Sequence, residues 1–152
     1  MIAPGVLIEV PIRYAFDSCA FIALANNEDG RADAVRTAIE KARRGDHEIL
    51  VSALIFAELL RPNVEAILNA PWVVVMSVDP EIGRLAAQLR TQFHMKVPDA
   101  IHLATAVRGR ADALLTFDDD LLKRNGTPFR GVDICVRSPN ELFGPGPLFQ
   151  HD

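Results

Sequence analysis

Short apolar runs alternate with longer segments of helical periodicity along nearly the whole chain, and that alternation leaves few folds open. The runs at residues 13–16, 48–51, 72–76, 113–116 and 133–136 are mostly apolar on both faces. A strand that is apolar on both sides belongs in a parallel sheet covered above and below by helices. Between the runs, Ala32, Val35, Ile39 and Ala42 form one helical stripe, with Arg36, Glu40, Lys41 and Arg43 facing elsewhere. Ile82, Leu85, Ala86, Leu89 and Phe93 form a second stripe, opened by Asp79 as a cap and Pro80 at the first helical position. The segment 99–108 is apolar nearly all round and reads as a buried helix. Ser138 and Glu141 have capping-box spacing and start a short last helix. The expected fold is therefore α/β and doubly wound, with a central, mostly parallel five-stranded sheet flanked by helices on both faces.

No internal repeat or linker divides the chain. One domain is expected over residues 13–143, after an N-terminal extension at 1–12 and before a flexible tail at 144–152 rich in Gly and Pro. A length of 152 residues suffices for one core. Hydrophobic residues at 49% against 24% charged match a soluble globular protein, and no apolar run is long enough to span a bilayer. The first residues lack the basic start and long apolar stretch of a signal peptide. Cys19 and Cys135 are too few for a disulfide framework, so the cytoplasm is the expected location. The net charge of −4 provides no basic coat for nucleic acid, yet it is compatible with an enzyme that gathers acids at a metal.

A fold of this kind hosts many chemistries, so function rests on the site. Ligands of an open parallel sheet bind beyond the carboxyl ends of its strands. Asp17 follows the first apolar run and Asp118 the fourth. Glu58 lies in an expected helix over residues 53–61, and Asp99 opens the apolar helix just after Pro98. Each aspartate also stands where a helix wants a cap. Glu58, among apolar neighbours, needs a partner, and either Arg61 or a cation can serve. As a set, four carboxylates at one edge repel each other, and a divalent cation removes that cost. All-oxygen ligation selects Mg²⁺ or Mn²⁺ over zinc. Ser18 and Thr116, beside two of the acids, are suited to hold a carboxylate or a water, or to serve as ordinary turn residues.

The segments Phe16-Asp17-Ser18, Ser52 with Glu58-Leu59, Pro98-Asp99 through His102 to Ala106, and Leu115-Thr116-Phe117-Asp118 resemble the successive motifs of PIN-domain ribonucleases. Within that family the chain is similar to VapC toxins of toxin–antitoxin pairs, and the closing residues 138–143 resemble the usual VapC ending. The resemblance covers residues 14–143 and implies that Asp17, Glu58, Asp99 and Asp118 are an acidic quartet around Mg²⁺. It implies an endoribonuclease that cleaves RNA by a metal-activated water, forms a homodimer, and is inhibited by a small VapB-type antitoxin. Leu59–Leu60 and the helix carrying Ile82 and Phe93 are candidate dimer faces. One departure is the stretch of residues before Tyr14, in which residues 6–10 suit an extra edge segment.

Other chemistries find less support. No Gly-x-Gly-x-x-Gly follows a strand and no phosphate-loop motif is present. Cys19 lacks the arginine of the phosphatase motif, since Ala25 stands there, and reads as a buried thiol. His47, His94, His102 and His151 lack zinc-ligand spacing, and His102 reads as a core or interface histidine. A response-regulator receiver wants a second acid beside Asp17, which is missing. A PIN nuclease of RNA processing and an inactive PIN-like partner-binding domain stay open. The basic residues, among them Arg61, Arg108, Arg110, Lys123 and Arg124, are scattered and single out no RNA contact.

Overall fold

The computed structural model describes residues 10–145. Its first half runs β1 (Arg13–Phe16), α1 (Ser18–Ala25), α2 (Ala32–Arg43), β2 (Glu48–Ser52), α3 (Ile55–Glu58), α4 (Pro62–Leu68) and β3 (Val73–Met76). The second half runs α5 (Pro80–Phe93), α6 (Val97–Arg108), β4 (Ala113–Leu115), α7 (Asp119–Leu122), β5 (Pro128–Phe129), β6 (Val132–Asp133), β7 (Val136–Arg137) and α8 (Pro139–Phe143). The expected edge segment at residues 6–10 lies outside the described residues except for Val10, as does the expected tail except for Gly144 and Pro145. No helix among the described residues is long and apolar enough to cross a membrane.

Five strands form one sheet in the order β3-β2-β1-β4-β7, and every neighbouring pair is parallel. Because side chains alternate across a strand, the two faces draw on alternate residues. Ala15, Leu50, Leu114 and Val136 pack on one face against α5 and α6, through Ile82, Leu85, Leu89, Leu103 and Ala104. Phe16, Ile49, Val51, Ala113 and Leu115 pack on the other against α1 to α4, through Phe21, Val35, Ala38, Ile55 and Val64. The α5 stripe is thus buried inside the molecule, and the helix leaves its more polar outer face exposed. Asp79 caps α5 as expected, accepting from the Ile82 amide at 2.8 Å. Gly109, at the end of α6, lies where a Cβ would stand 2.4 Å from Leu50 Cδ2, so the glycine admits the close approach of this loop to β2.

Two expectations are corrected. The fifth strand of the sheet is Val136–Arg137, not residues 133–136. Val132–Asp133 instead pairs antiparallel with Pro128–Phe129, around a two-residue turn in which Arg130 and Gly131 both have positive φ. Such a turn makes a hairpin, and the apolar run is consumed partly by it. The expected helix over residues 53–61 ends at Glu58, and α4 begins afresh at Pro62. A residue before proline is driven out of the helical region, and Arg61 is extended with φ −135° and ψ 128°.

Strand order reverses between β1 and β4, because the chain lays β2 and β3 on one side of β1 and then returns past it. A crevice opens outside the carboxyl ends of strands at such a point. Asp17 follows β1 and Thr116 follows β4, so both stand at its mouth.

Candidate functional site

Asp17 is 4% exposed, and burial pushes its carboxyl above the usual range against the pull of its donors. Although it stands at the N-cap position of α1, its side chain makes no cap bond. Thr116 Oγ1 donates to Asp17 Oδ2 at 2.6 Å and the Cys19 thiol donates to Oδ1 at 2.8 Å. Thr116 is fully buried, and its Oγ1 also accepts from the Asp118 amide at 3.0 Å, so one hydroxyl joins the ends of β1 and β4. Cys19 Sγ in turn accepts from the Phe117 amide at 3.2 Å. Burial and the charge of Asp17 hold the Cys19 thiol up to about 12, which keeps it a proton donor instead of a thiolate. Of the two expected helpers, Thr116 holds the carboxylate; Ser18 makes no side-chain hydrogen bond among the described residues, and Cys19 stands in its place.

Asp99 lies inside the first turn of α6, two residues past its start, so it is not the cap; Lys96 occupies that position. Its carboxyl is pushed up to about 6, first by burial, then by the facing carboxylates of Asp118 and Asp17, with His102 and Lys96 opposing. Asp118 does cap a helix, accepting from the Asp120 amide at 2.9 Å at the start of α7. Three aspartates from three separate elements therefore feel one another across the crevice.

Glu58 meets a partner that its local sequence does not contain. Its Oε1 lies 2.6 Å from His102 Nε2, across 44 positions of sequence. Arg61 instead donates to Asn26 Oδ1 at 3.3 Å. The His102 side chain is 2% exposed and that of Glu58 24%, so the pair runs from the core to the rim. His102 sits three residues after Asp99 on α6 and thus on the same face of that helix. Neither the role of His102 nor that of Cys19 carried a local signal beyond an unusual polar residue in an apolar segment.

Among the described residues no three His, Cys, Asp or Glu side chains stand close enough to ligate one ion as placed. Their oxygens are drawn elsewhere: Asp17 to Thr116 and Cys19, Asp118 to α7, Glu58 to His102. The chemistry of the donors still suits a hard divalent cation, because carboxylates with no thiolate face each other and His102 and Lys96 only partly offset their repulsion. At the rim, the Arg31 guanidinium lies 5.0 Å from the centre of the Phe117 ring, one residue from Asp118. Arg31 is also paired with Glu28 at 3.3 Å, and other basic side chains are engaged, with Arg108 on Glu81 at 3.0 Å, Lys123 on Asp120 at 3.7 Å and Arg124 on the Phe93 carbonyl at 3.2 Å.

Comparison with known proteins follows the same line. The family model that matches is the PIN domain, over residues 14–126. No curated protein matches the chain. Among solved structures, a toxin–antitoxin complex from Klebsiella pneumoniae is similar at 22% identity and a TM-score of 0.56, over 83% of this chain and 97% of that one. VapBC2 from Rickettsia felis, bound to a promoter DNA fragment, is similar at 14% identity and a TM-score of 0.61, over 84% and 98%. VapC20 from Mycobacterium tuberculosis, described as a Sarcin-Ricin loop cleaving toxin, is similar at 17% identity and a TM-score of 0.54, over 79% and 98%. At these identities the likeness is one of fold.

Proposed function

The chain belongs to the PIN domain family, and from that premise we propose that it is a metal-dependent endoribonuclease of the VapC kind, the toxin of a toxin–antitoxin pair. The observation that carries this proposal is Asp99, whose carboxyl is forced up to about 6 by burial and by Asp118 and Asp17 at the point where strand order reverses. A half-buried acid kept among like charges destabilises the fold and is retained where a site needs it. PIN nucleases as a group use divalent metals, and Asp17, Asp99 and Asp118 would hold Mg²⁺ or Mn²⁺ here, with Glu58 completing the set. When bound, the cation supplies charge neutralisation at the scissile phosphodiester and a more acidic attacking water.

The protein's own groups do the positioning. Thr116 and Cys19 fix both oxygens of Asp17, so this carboxylate presents one orientation to the crevice. Asp99 faces it from the first turn of α6, and Asp118, whose Oδ1 caps α7, faces it from the start of that helix. Arg31, laid over Phe117 and paired with Glu28, stands at the rim beside Asp118, on the proposed path of the RNA strand. A small VapB-type antitoxin is the proposed partner, supported by the toxin–antitoxin complexes among the similar folds. A homodimer is proposed with it, for which Leu60, 82% exposed while Leu59 is buried, remains the available part of the expected face. The two free thiols accord with a cytoplasmic setting.

A second proposal, an inactive PIN-like domain that only binds a partner, is favoured by one observation: among the described residues, no three ligating side chains are closed on one point. The purified protein separates the two. Cleavage of single-stranded RNA in Mg²⁺ or Mn²⁺, lost in chelator and in folded Asp17→Asn and Asp99→Asn, is the result expected of the nuclease. Cleavage that persists in chelator, or no thermal stabilisation by millimolar Mn²⁺, refutes it.

A further inference from the structure

We propose that His102 is a positioning residue, whose Nε2–H holds the Glu58 carboxylate in the orientation the nuclease site requires. The inference deepens the nuclease proposal above and rests on it. Three features of the structure carry it. The contact is short, at 2.6 Å, and joins α6 to the last residue of α3. It is the side-chain hydrogen bond of Glu58 among the described residues, while Arg61, the sequence-local candidate, is turned away to Asn26. The third feature is the other ring nitrogen. His102 Nδ1 is buried with no partner among the described residues, although the side chain is almost wholly enclosed.

Leaving a buried ring nitrogen without a partner is unfavourable, so His102 is not the most stable choice for its position, though His47 Nε2 is buried in the same way. An apolar side chain of similar size would fill the same enclosed space without that loss. What such a side chain cannot do is reach Glu58. Glu58 is the last residue of a helix only four residues long, so its own segment does little to orient it. His102 stands on a twelve-residue helix packed against the sheet, on the face that also carries Asp99. The hydrogen bond therefore ties the loosely held acid to the same rigid element that bears a second acid of the site.

The orientation of the ring makes a prediction that needs neither metal nor substrate. A proton on Nδ1 with none on Nε2 would leave a buried donor without an acceptor and a bare nitrogen facing a carboxylate. The proposed role therefore places a proton on Nε2. Two-bond ¹H–¹⁵N correlation spectra of the metal-free protein, assigned by comparison with His102→Gln, read this directly. A protonated Nε2 is expected, and an Nδ1–H tautomer with bare Nε2 overturns the proposal.

The functional arm uses three variants. In His102→Gln the amide Nε2 takes the place of the ring Nε2; in His102→Asn the amide is too short to reach Glu58; in His102→Leu the donor is gone. Single-turnover cleavage of a single-stranded RNA in saturating Mn²⁺ is expected to fall about 100-fold in His102→Leu and His102→Asn, the scale of a misplaced catalytic group, and only a few-fold in His102→Gln. The KM for RNA is expected to stay within about twofold throughout, because His102 is enclosed and does not touch the strand. Equal losses in the Gln and Asn variants would show that the ring serves packing and would overturn the role. A wild type without metal-dependent cleavage sinks the nuclease proposal itself; a wild type that cleaves, with His102→Leu equally active, sinks only the role of His102. If His102→Leu does not fold, the contrast between Gln and Asn, both polar, decides alone.

Discussion

Replacing Asp99 by asparagine should make the metal-free protein more stable while abolishing its activity. In the fold the Asp99 carboxyl is held up to about 6 from an ordinary 3.8, by burial and by Asp118 and Asp17. At about 1.4 kcal/mol per tenfold in proton affinity, ionised Asp99 costs the folded state about 3 kcal/mol. The group is half exposed, so water screens part of this and about 1–2 kcal/mol remains. The sign follows from linkage. A carboxyl whose pKa is raised on folding contributes stability that is full below 3.8 and is lost as pH rises through about 6. An amide at this position cannot ionise, so Asp99→Asn should gain about 1–2 kcal/mol over wild type at about pH 7.5, worth roughly 3–6 °C for a chain of this size, and nothing near pH 4. Thermal melts of both proteins in chelator, at each pH, measure it; taking the difference at each pH cancels His47, whose depressed pKa acts in both. Millimolar Mn²⁺ should then raise the wild type, by about 2.7 kcal/mol at a hundred times its Kd, and leave the variant unmoved. A variant less stable than wild type at neutral pH in chelator, or a gain that is the same at both pH values, would refute the electrostatic account.

Thr116→Val keeps the shape of a fully buried residue but removes the hydroxyl that donates to Asp17 and accepts from the Asp118 amide; urea melts should show a loss of about 2–3 kcal/mol. Gly109→Ala, which sets a Cβ 2.4 Å from Leu50 Cδ2 and 2.9 Å from Met76 Sδ, should cost about 1–3 kcal/mol in the same assay, whereas a neutral result would mean the loop moves aside freely. Arg31→Ala should weaken binding of single-stranded RNA to the Asp99→Asn protein and lower the salt slope by about 0.7, the share of one phosphate; an unchanged slope would place the strand elsewhere.

How much of this protein is legible from residue order depends on the range of the force involved. The periodicities of 2 and 3.6 are local, and they placed β1 to β3, the buried stripe of α5 and the enclosed helix α6 to within a residue or two. Where a turn competes with a strand, as at Arg130 and Gly131, the apolar run alone misled, and Val132 and Asp133 went to a hairpin outside the main sheet. The acids at strand ends were visible because a parallel sheet collects its loops at one edge. Their partners were not. Hydrogen bonds from Thr116 to Asp17 and from His102 to Glu58 span 99 and 44 positions, and no local pattern encodes a contact that only the packing of α6 and β4 around β1 creates. Residue order alone dictated a two-faced parallel sheet with carboxylates at one edge. Packing chose which carboxylates face one another, which donors hold them, and that Glu58 answers to a histidine, because burial and directed hydrogen bonds act between elements far apart along the chain.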